Sequence, residues 1–269
     1  AIGDFNNAKK YYQQAIAINS SYFPALTNLG ILELQTSDKQ KGLSLLLKVT
    51  KVEPQSSSAW KNLATAYYQL GKPKEAEKAC KKSLEINNDL FDSHFLLADL
   101  LIEQKKIQEA EHHLRKVIEL NPNLDKAYSN LGKVLIDLGK FKEAEIACRK
   151  SIEINPLLAA AYYNLGNILL EMGKSQEAQI SLLKATKLKP DFTEAYSNLG
   201  RVLIDLGEID EAILCYEKAL SIEQNAPEAL IGLGRSLLMK DKYEKGLIFL
   251  KKGDGTISFS LENGVSINP

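Results

Sequence analysis

A self-similarity with a spacing of 34 residues constrains this chain more than any other feature of its sequence. One column of the repeat is filled by leucine, at Leu29, Leu63, Leu97, Leu131, Leu165, Leu199 and Leu233. A second column holds only small residues, at Ala8, Gly42, Ala76, Ala110, Ala144, Ala178, Ala212 and Gly246. Because the spacing is kept without insertions, each copy must pack on its neighbours in one way. The sequence therefore predicts a stacked array of repeats.

The residues within one copy resemble a known family. The clearest match is made by Trp60, Leu63, Ala64, Tyr67, Gly71, Ala76 and Cys80. This pattern resembles the tetratricopeptide repeat (TPR), which has a bulky residue, Leu-Gly, an aromatic residue, alanine and proline at the same spacing. The resemblance covers roughly residues 3–251. It implies an all-α fold, namely a right-handed superhelical solenoid of antiparallel helix pairs, whose concave groove binds protein.

We expect the array to occupy residues 1–252 as one elongated domain. A lone second helix fills residues 1–20, and seven copies start near residues 23, 57, 91, 125, 159, 193 and 227. Each copy should hold two amphipathic helices of about 13 to 15 residues. The predicted breaks between the two helices lie near Ser37, Gly71, Lys105, Gly139, Gly173, Gly207 and Asp241, where glycine suits the left-handed conformation that ends a helix.

Residues 253–269 leave the repeat pattern. The stretch around Asn263-Gly264 is flanked by β-favouring residues, which is typical of a hairpin. We therefore expect a short extended or hairpin tail, or a linker to a further domain. Leu247, Ile248 and Leu250 of the last copy should be left bare unless this tail or another domain covers them.

Composition excludes several classes of function. The chain has 34 Lys and Arg against 34 Asp and Glu, so its net charge does not indicate binding to nucleic acid or to an anionic membrane. We find no apolar run long enough to cross a bilayer and no secretory leader. The three cysteines do not form a disulfide framework and are typical of core residues in a reducing compartment. These features favour a cytoplasmic location.

No constellation of residues indicates catalysis, a metal or a cofactor. His112 and His113 are adjacent, so they point in different directions on a helix, and His94 stands in a column of packed bulky residues. The Asn-Leu-Gly triplets are helical packing elements rather than a phosphate-binding loop. Carboxylates such as Asp137 and Glu145 are more simply explained by ion pairing along helices. We therefore expect a protein that is not an enzyme.

An unusual column of asparagines is the best candidate for a binding site. We call it the asparagine column; its members are Asn28, Asn62, Asn130, Asn164 and Asn198, while Leu96 and Gly232 take the same position in the other copies. Asparagine is a mediocre helix former, so its recurrence asks for a reason. Its amide can bond both the C=O and the N–H of an extended peptide. The alternatives are a solvated helix surface or hydrogen bonds between repeats.

A second column lies three residues further along the same helices. Its polar members that we assign to peptide binding are Lys133, Asn167, Arg201 and Arg235. The alternative is that Lys133 pairs with Asp137, and Arg201 with Asp205, along one helix. Phe95 and Tyr163 stand one place before the asparagine column and could contact a ligand or serve in packing.

The asparagine column leaves three hypotheses for function. The first is a non-catalytic scaffold that binds extended peptide segments of a protein partner. The second follows from the resemblance of the column to the repeat domain of the O-linked N-acetylglucosamine transferases, and makes the chain the recognition arm of a glycosyltransferase or similar enzyme with its catalytic domain beyond residue 269. The third is self-association through uncapped terminal helices, because the lone first helix should expose an apolar face.

Overall fold

The computed structural model of the chain describes residues 2–36, 38–254, 258–260 and 264–266. The described residues form fifteen helices and one pair of short strands. They divide into two compact units, Ala1–Asn123 and Leu124–Pro269. The all-α fold of paired helices that the repeat predicts is confirmed.

Unit 1 contains a single helix followed by three helix pairs. Its elements are α1 (Ile2–Ile18), α2 (Phe23–Gln35), α3 (Lys39–Val52), α4 (Ser57–Gln69), α5 (Pro73–Ile86), α6 (Phe91–Glu103) and α7 (Ile107–Leu120). Helix α1 packs on α2.

Unit 2 contains four helix pairs and the strands. Its elements are α8 (Asp125–Asp137), α9 (Phe141–Ile154), α10 (Ala159–Glu171), α11 (Ser175–Leu188), α12 (Thr193–Asp205), α13 (Ile209–Ile222), α14 (Pro227–Met239), α15 (Tyr243–Asp254), β1 (Ser258–Ser260) and β2 (Gly264–Ser266). The strands pair antiparallel, with Phe259 opposite Val265. The hairpin prediction also rested on residues 256, 257, 261–263 and 267, which lie outside the described part of the chain.

Small residues let the two helices of each copy approach closely. A Cβ atom added to Gly166 of α10 would lie 2.6 Å from Cγ of Leu182 on α11, and one added to Gly200 of α12 would lie 2.7 Å from Cζ of Tyr216 on α13. Real carbon atoms do not come this close, so a larger residue would force the helices apart. The glycine at this position of the first helices is therefore set by helix packing.

The turns inside the copies follow the predicted positions. The backbone angle φ is positive at Gly71, Gly139, Gly173 and Gly207, with values from 66° to 80°. It is also positive at Lys105 (62°) and Asp241 (57°), which have side chains. Ser37 lies outside the described residues. The same left-handed turn thus recurs even where glycine is absent, because the spacing of the helices demands it.

The last copy buries one of the three residues that the sequence leaves bare unless the tail or a further domain covers them. Leu250 is fully buried, and it contacts Gly234 of α14, where an added Cβ would lie 2.6 Å from Cγ of Leu250. Ile248 is exposed. Much of the tail lies outside the described part of the chain.

The cysteines behave as core residues. Cys80 and Cys148 are buried, Cys215 is partly buried, and all three are free thiols. Burial raises the pKa of Cys80 and of Cys148 to about 12, so both thiols stay protonated and unreactive at neutral pH. In the described part of the chain, no helix is both long enough and apolar enough to cross a bilayer.

Candidate functional site

The first helices of unit 2 form the surface that carries most of the predicted site. Helices α8, α10, α12 and α14 contact one another in sequence, so residues of one column lie on neighbouring helices. In each case the leucine that follows the column is buried, for example Leu165 and Leu199. The column itself is therefore placed at the edge of the buried core, where a side chain can turn either to solvent or to the preceding helix.

Asn164 turns to the preceding helix. Its side chain is only 6% exposed. Its Nδ2 donates to the backbone carbonyl oxygen of Ser129, at 3.0 Å, and to Oγ of the same residue, at 3.2 Å. These bonds join α10 to α8. These contacts favour the alternative role of a tie between repeats for this asparagine.

Asn198 takes part in a polar cluster between α10 and α12. Its Nδ2 donates to Oδ1 of Asn167, at 2.7 Å, and lies 3.4 Å from the hydroxyl oxygen of Tyr163. The ring of Tyr163 packs against Phe192, with ring centroids 4.8 Å apart. Burial raises the pKa of Tyr163, although its hydrogen bond with Asn167 acts in the opposite direction. The phenol is therefore neutral at physiological pH.

The remaining asparagines differ in exposure. Asn130 of α8 is half-buried and interacts with other residues. In unit 1, Asn28 of α2 is exposed and Asn62 of α4 is half-buried. The five members of the asparagine column therefore do not share one environment, even though they share one position in the repeat.

The cations of the second column lie at the surface. Lys133, Arg201 and Arg235 are exposed, and Asn167 is half-buried within the cluster with Asn198. Nη2 of Arg201 lies 3.2 Å from Oε1 of Glu171, which is on α10. This ion pair of Arg201 joins two repeats. It differs from the pair with Asp205 along α12 that the sequence also allowed. A pair between repeats holds the arginine over the surface of the first helices.

A cleft opens beside the cluster, and we call it the Asn198 cleft. Its volume is about 470 Å³, within the range of roughly 300–1,000 Å³ that is usual for ligand sites. It is lined by Tyr163, Thr193, Glu194, Ser197, Asn198, Glu223, Ala226, Pro227 and Glu228. Three of these residues are carboxylates, so the cleft carries negative charge. Arg201 stands one helical turn beyond Asn198 on α12.

Sequence reasoning missed two features of this region. It did not single out Glu194, Glu223 and Glu228, because none of them stands in the asparagine column. They come from α12, from the C-cap of α13 and from α14. It also did not foresee that Asn198 would bond Asn167, 31 residues earlier. The available signal was that both residues belong to columns of polar side chains on adjacent first helices.

The histidines of unit 1 form an unexpected pair. His94 is 2% exposed, which confirms that it is a packed residue. Its Nδ1 lies 2.8 Å from Nδ1 of His113, and its Nε2 lies 2.9 Å from the carbonyl oxygen of Asn88. No group of three or more His, Cys, Asp or Glu side chains suited to a metal occurs among the described residues.

Comparison with known proteins shows similarity to one curated protein and to several solved structures. Residues of this chain are 29% identical, over 85 residues, to the human Superkiller complex protein 3; the match covers 32% of this chain and 5% of that protein. Among solved structures, the APC/C hetero-tetramer Cut9-Hcn1 matches with a TM-score of 0.74 and 18% identity, over 87% of this chain and 46% of that one. YrrB, a TPR protein with an unusual peptide-binding site, matches with a TM-score of 0.52 and 24% identity, over 66% of this chain and 92% of that one.

The chain thus spans only a small part of the curated relative and less than half of the first structural neighbour. Identities this low in the structural matches show a shared fold and nothing finer. Models of the tetratricopeptide repeat match residues 1–22, 57–90, 91–124, 125–156, 147–180 and 193–225, which together make up more than half of the chain. With the helix pairs and the left-handed turns described above, these matches show that the chain belongs to the tetratricopeptide repeat family.

Proposed function

We propose that the chain is a non-catalytic scaffold and that the first helices of unit 2 bind an extended segment of a protein partner. The observation that carries the proposal is the Asn198 cleft, which combines an open volume with polar groups on three neighbouring first helices. Relatives of the same fold occur in protein assemblies or carry a peptide-binding site, namely Cut9-Hcn1 and YrrB. The residues of this chain, rather than those similarities, define the proposed contacts.

Asn198 is the central contact of the proposed site. Its Nδ2 is engaged by Asn167 and lies near the hydroxyl of Tyr163, while an amide oxygen can accept two hydrogen bonds. The neighbouring residues therefore fix the orientation of the amide, and Oδ1 is left to accept an N–H from a peptide backbone. A fixed amide loses little conformational entropy on binding, which favours affinity.

Charge should select the partner segment. The carboxylates of Glu194, Glu223 and Glu228 line the Asn198 cleft, so a lysine or arginine of the segment fits there. Lys133 on α8 and Arg235 on α14 are exposed one helical turn beyond the position of the asparagine column, so they suit acidic residues of the segment. Each contact with a charged group contributes about 1.5–3 kcal/mol at best. Asn130 of α8 extends the surface, and the buried Asn164 is left out of it.

The experiment is a peptide selection followed by titration. A random library of extended peptides is selected on the wild-type protein, and the affinity of the selected peptides is measured for wild type and for Asn130→Ala/Asn198→Ala. We expect the double variant to weaken binding about 10-fold or more, because it removes backbone contacts worth about 0.5–1.5 kcal/mol each.

The matched control is Gln176→Ala, which removes an exposed amide side chain on the second helix α11. It should leave affinity unchanged. Equal affinity of the double variant and wild type for every selected peptide would exclude the asparagines from the site. Circular dichroism of each variant checks that the helices are intact.

A second hypothesis is that the repeat array is one part of a larger protein. The asparagine column resembles that of the O-linked N-acetylglucosamine transferases, so we keep as a hypothesis that the array is the recognition arm of a larger modifying enzyme. Self-association and a cytoplasmic location also stay predictions. The full reading frame tests the enzyme hypothesis, because a stop codon directly after the codon of Pro269 would contradict it.

A further inference from the structure

The second helices of unit 2 expose an apolar column that the peptide-binding proposal does not use. Its members are Ile146 (70% exposed), Ile180 (68%), Leu214 (64%) and Ile248 (55%). The same column in unit 1 reads Lys10, Ser44, Lys78 and His112. Single exposed apolar residues are common, whereas a contiguous apolar patch on the surface marks an interaction site.

A groove opens between α9 and α11, and Ile180 of this column lines it. We call it the α9–α11 groove. It has a volume of about 760 Å³ and is lined by Arg149, Ile152, Glu153, Tyr162, Leu165, Ile180, Ser181, Leu183, Lys184 and Lys187. The floor is supplied by α10, and the walls by the two second helices. Most of the surface area of the lining is apolar. An apolar side chain therefore displaces water from the groove favourably.

Helix α11 departs from the neighbouring repeats at this groove. Three other second helices carry an ion pair at the same two positions: Lys82–Glu85, Lys116–Glu119 and Lys150–Glu153, with N–O distances of 2.8 to 2.9 Å. In α11 these positions hold Lys184 and Lys187, so the acidic partner is replaced by a second cation. The helix therefore presents two ammonium groups that cannot neutralise each other.

A second departure places an apolar residue beside these cations. Arg115 and Arg149 each pair with a glutamate four residues earlier, at 2.8 Å. The corresponding residues of α11 are Leu183 and Gln179. Ile180, Leu183, Lys184 and Lys187 have the spacing i, i+3, i+4 and i+7, which puts them on one face of the helix. All four are exposed.

The other charges of the groove are already satisfied. Nη2 of Arg149 lies 2.8 Å from Glu145 and 3.3 Å from Glu177, and Glu153 is paired with Lys150. The excess charge of the groove is therefore that of Lys184 and Lys187. A ligand that complements it must combine apolar side chains for the groove with carboxylates for these two lysines.

We propose that the α9–α11 groove is a second docking site, which binds an acidic amphipathic helix of a protein partner. The apolar stripe of the helix would lie against Ile152, Ile180 and Leu183, and its carboxylates would pair with Lys184 and Lys187. A helix lying in an apolar groove with anchors at i, i+3, i+4 and i+7 is a common form of peptide recognition. The site is independent of the Asn198 cleft, which belongs to the first helices.

The test uses designed peptides as probes. Three fluorescein-labelled peptides of about 15 residues are compared: one with leucines at i, i+3, i+4 and i+7 and glutamates elsewhere, one with lysines in place of the glutamates, and one with glutamines in place of the leucines. Binding is followed by fluorescence anisotropy. We expect the leucine–glutamate peptide to bind the wild-type protein at least about 10-fold more tightly than either of the others.

The decisive variant restores the pattern of the neighbouring repeat. Leu183→Arg/Lys187→Glu gives α11 the residues that α9 has at Arg149 and Glu153, so it should fold as the neighbouring copy does. We expect it to weaken binding of the leucine–glutamate peptide about 10-fold or more. Leu214→Arg is the matched control, because it removes an exposed leucine of the same column outside the groove and should leave affinity unchanged.

A charge exchange separates the role of the lysines from general loss of apolar surface. Lys184→Glu/Lys187→Glu should lose the leucine–glutamate peptide and gain the leucine–lysine peptide. Asn198→Ala should bind both peptides as wild type does, which separates this site from the proposed peptide surface. The proposal is overturned if no saturable binding occurs up to about 1 mM peptide, or if the restored variant binds as wild type does.

Two further experiments test whether a second copy of the chain or a membrane surface occupies the groove instead. Light scattering over a concentration range would reveal a dimer, and a dimer abolished by Leu183→Arg/Lys187→Glu would show that a second copy fills the groove. Flotation with vesicles of phosphatidylserine and phosphatidylcholine tests a membrane surface. Either result without peptide binding would overturn the proposal of a helical partner.

Discussion

Nδ2 of Asn198 donates a hydrogen bond to Oδ1 of Asn167 over 2.7 Å, which joins α12 to α10. Both asparagines belong to columns that we predicted to face a ligand, and here each orients the other. A fixed pair of amides is a better site than two mobile ones, because the ordering cost is met on folding. Asn164 and Asn198 therefore tie neighbouring repeats together, and Asn198 also lines a cleft.

Asn164→Ala should destabilise the protein while leaving the surface of the first helices intact. The change removes a buried amide that donates to the carbonyl oxygen and to the hydroxyl of Ser129. We expect a loss of about 1–3 kcal/mol in the free energy of unfolding, measured by urea denaturation. Asn28→Ala is the control, since Asn28 is exposed at the same repeat position, and it should cost less than about 0.5 kcal/mol. Equal losses would contradict the role of a tie.

Gly166→Ala should be costly, and its cost should depend on Leu182. The added methyl group would lie 2.6 Å from Cγ of Leu182, whose side chain is fully buried. We expect a loss of about 1–3 kcal/mol from overpacking. The double variant Gly166→Ala/Leu182→Ala should lose less stability than the sum of the losses of the two single variants, because the truncated residue makes room for the methyl group. Additive losses in chemical denaturation would show that the close approach is not the cause.

Lys105→Gly should stabilise the protein. Lys105 has a φ of 62°, a conformation that glycine adopts without steric cost, and Gly139 holds a φ of 69° at the same position of the next copy. We expect a gain of about 0.5–1 kcal/mol and a higher melting temperature by calorimetry. The reciprocal change Gly139→Lys should lose a similar amount. A loss for Lys105→Gly would mean that the lysine side chain makes contacts that outweigh the strain.

Glu33→Leu should be tolerated at neutral pH. The carboxylate of Glu33 is buried, and its Oε1 lies 3.0 Å from Nζ of Lys9 and 3.2 Å from Nζ of Lys41. Leu101, Leu135, Leu169, Leu203 and Leu237 occupy the same repeat position elsewhere. Since leucine fits this column and both lysines can reach water, we expect a change within about 1 kcal/mol or a gain. Glu33→Ala, which leaves a cavity, should cost about 2–4 kcal/mol; urea denaturation distinguishes the two.

The same pair of variants gives a pH dependence. Burial acts to raise the pKa of Glu33, but the hydrogen bonds and charges of Lys9 and Lys41 outweigh it and hold the pKa below its ordinary value of 4.5. The stability that the ionised carboxylate contributes is therefore present above pH 4.5 and is lost as the pH falls through the pKa of the folded state. The wild type should lose stability relative to Glu33→Leu in this acid range, and parallel curves would contradict the ion pairs.

The histidine pair should destabilise unit 1 at mildly acid pH. Burial, and then the charges of His94, His112 and Lys81, lower the pKa of His113 to about 4. The unfolded chain, with a histidine pKa of 6.5, binds this proton first, so the free energy of unfolding should fall as the pH drops from about 6.5 to about 4. His113→Gln should flatten this slope in urea titrations at several pH values. His112→Gln, at an exposed position, should keep most of it.

The sequence by itself determined the helices, the turns and the core of each copy. A fixed spacing places leucine, glycine and alanine at equivalent points, so the environment of Leu131 or Gly132 can be inferred from any other copy. The left-handed turns at Gly71 and Gly139 follow from the same logic. Local propensity and periodic burial agree at these positions, which is why the repeat could be predicted without coordinates.

Only the tertiary structure decided which polar and apolar side chains remain accessible. Asn164 and Asn28 share a column, yet the first is buried against Ser129 and the second is exposed. Whether a side chain turns to solvent depends on the residues that the preceding helix presents about one repeat earlier, and these vary from copy to copy. The same holds for Leu250, which Gly234 admits into the core. The burial of a side chain depends on residues that are far apart in the chain. It therefore cannot be read from the residue types of one repeat column.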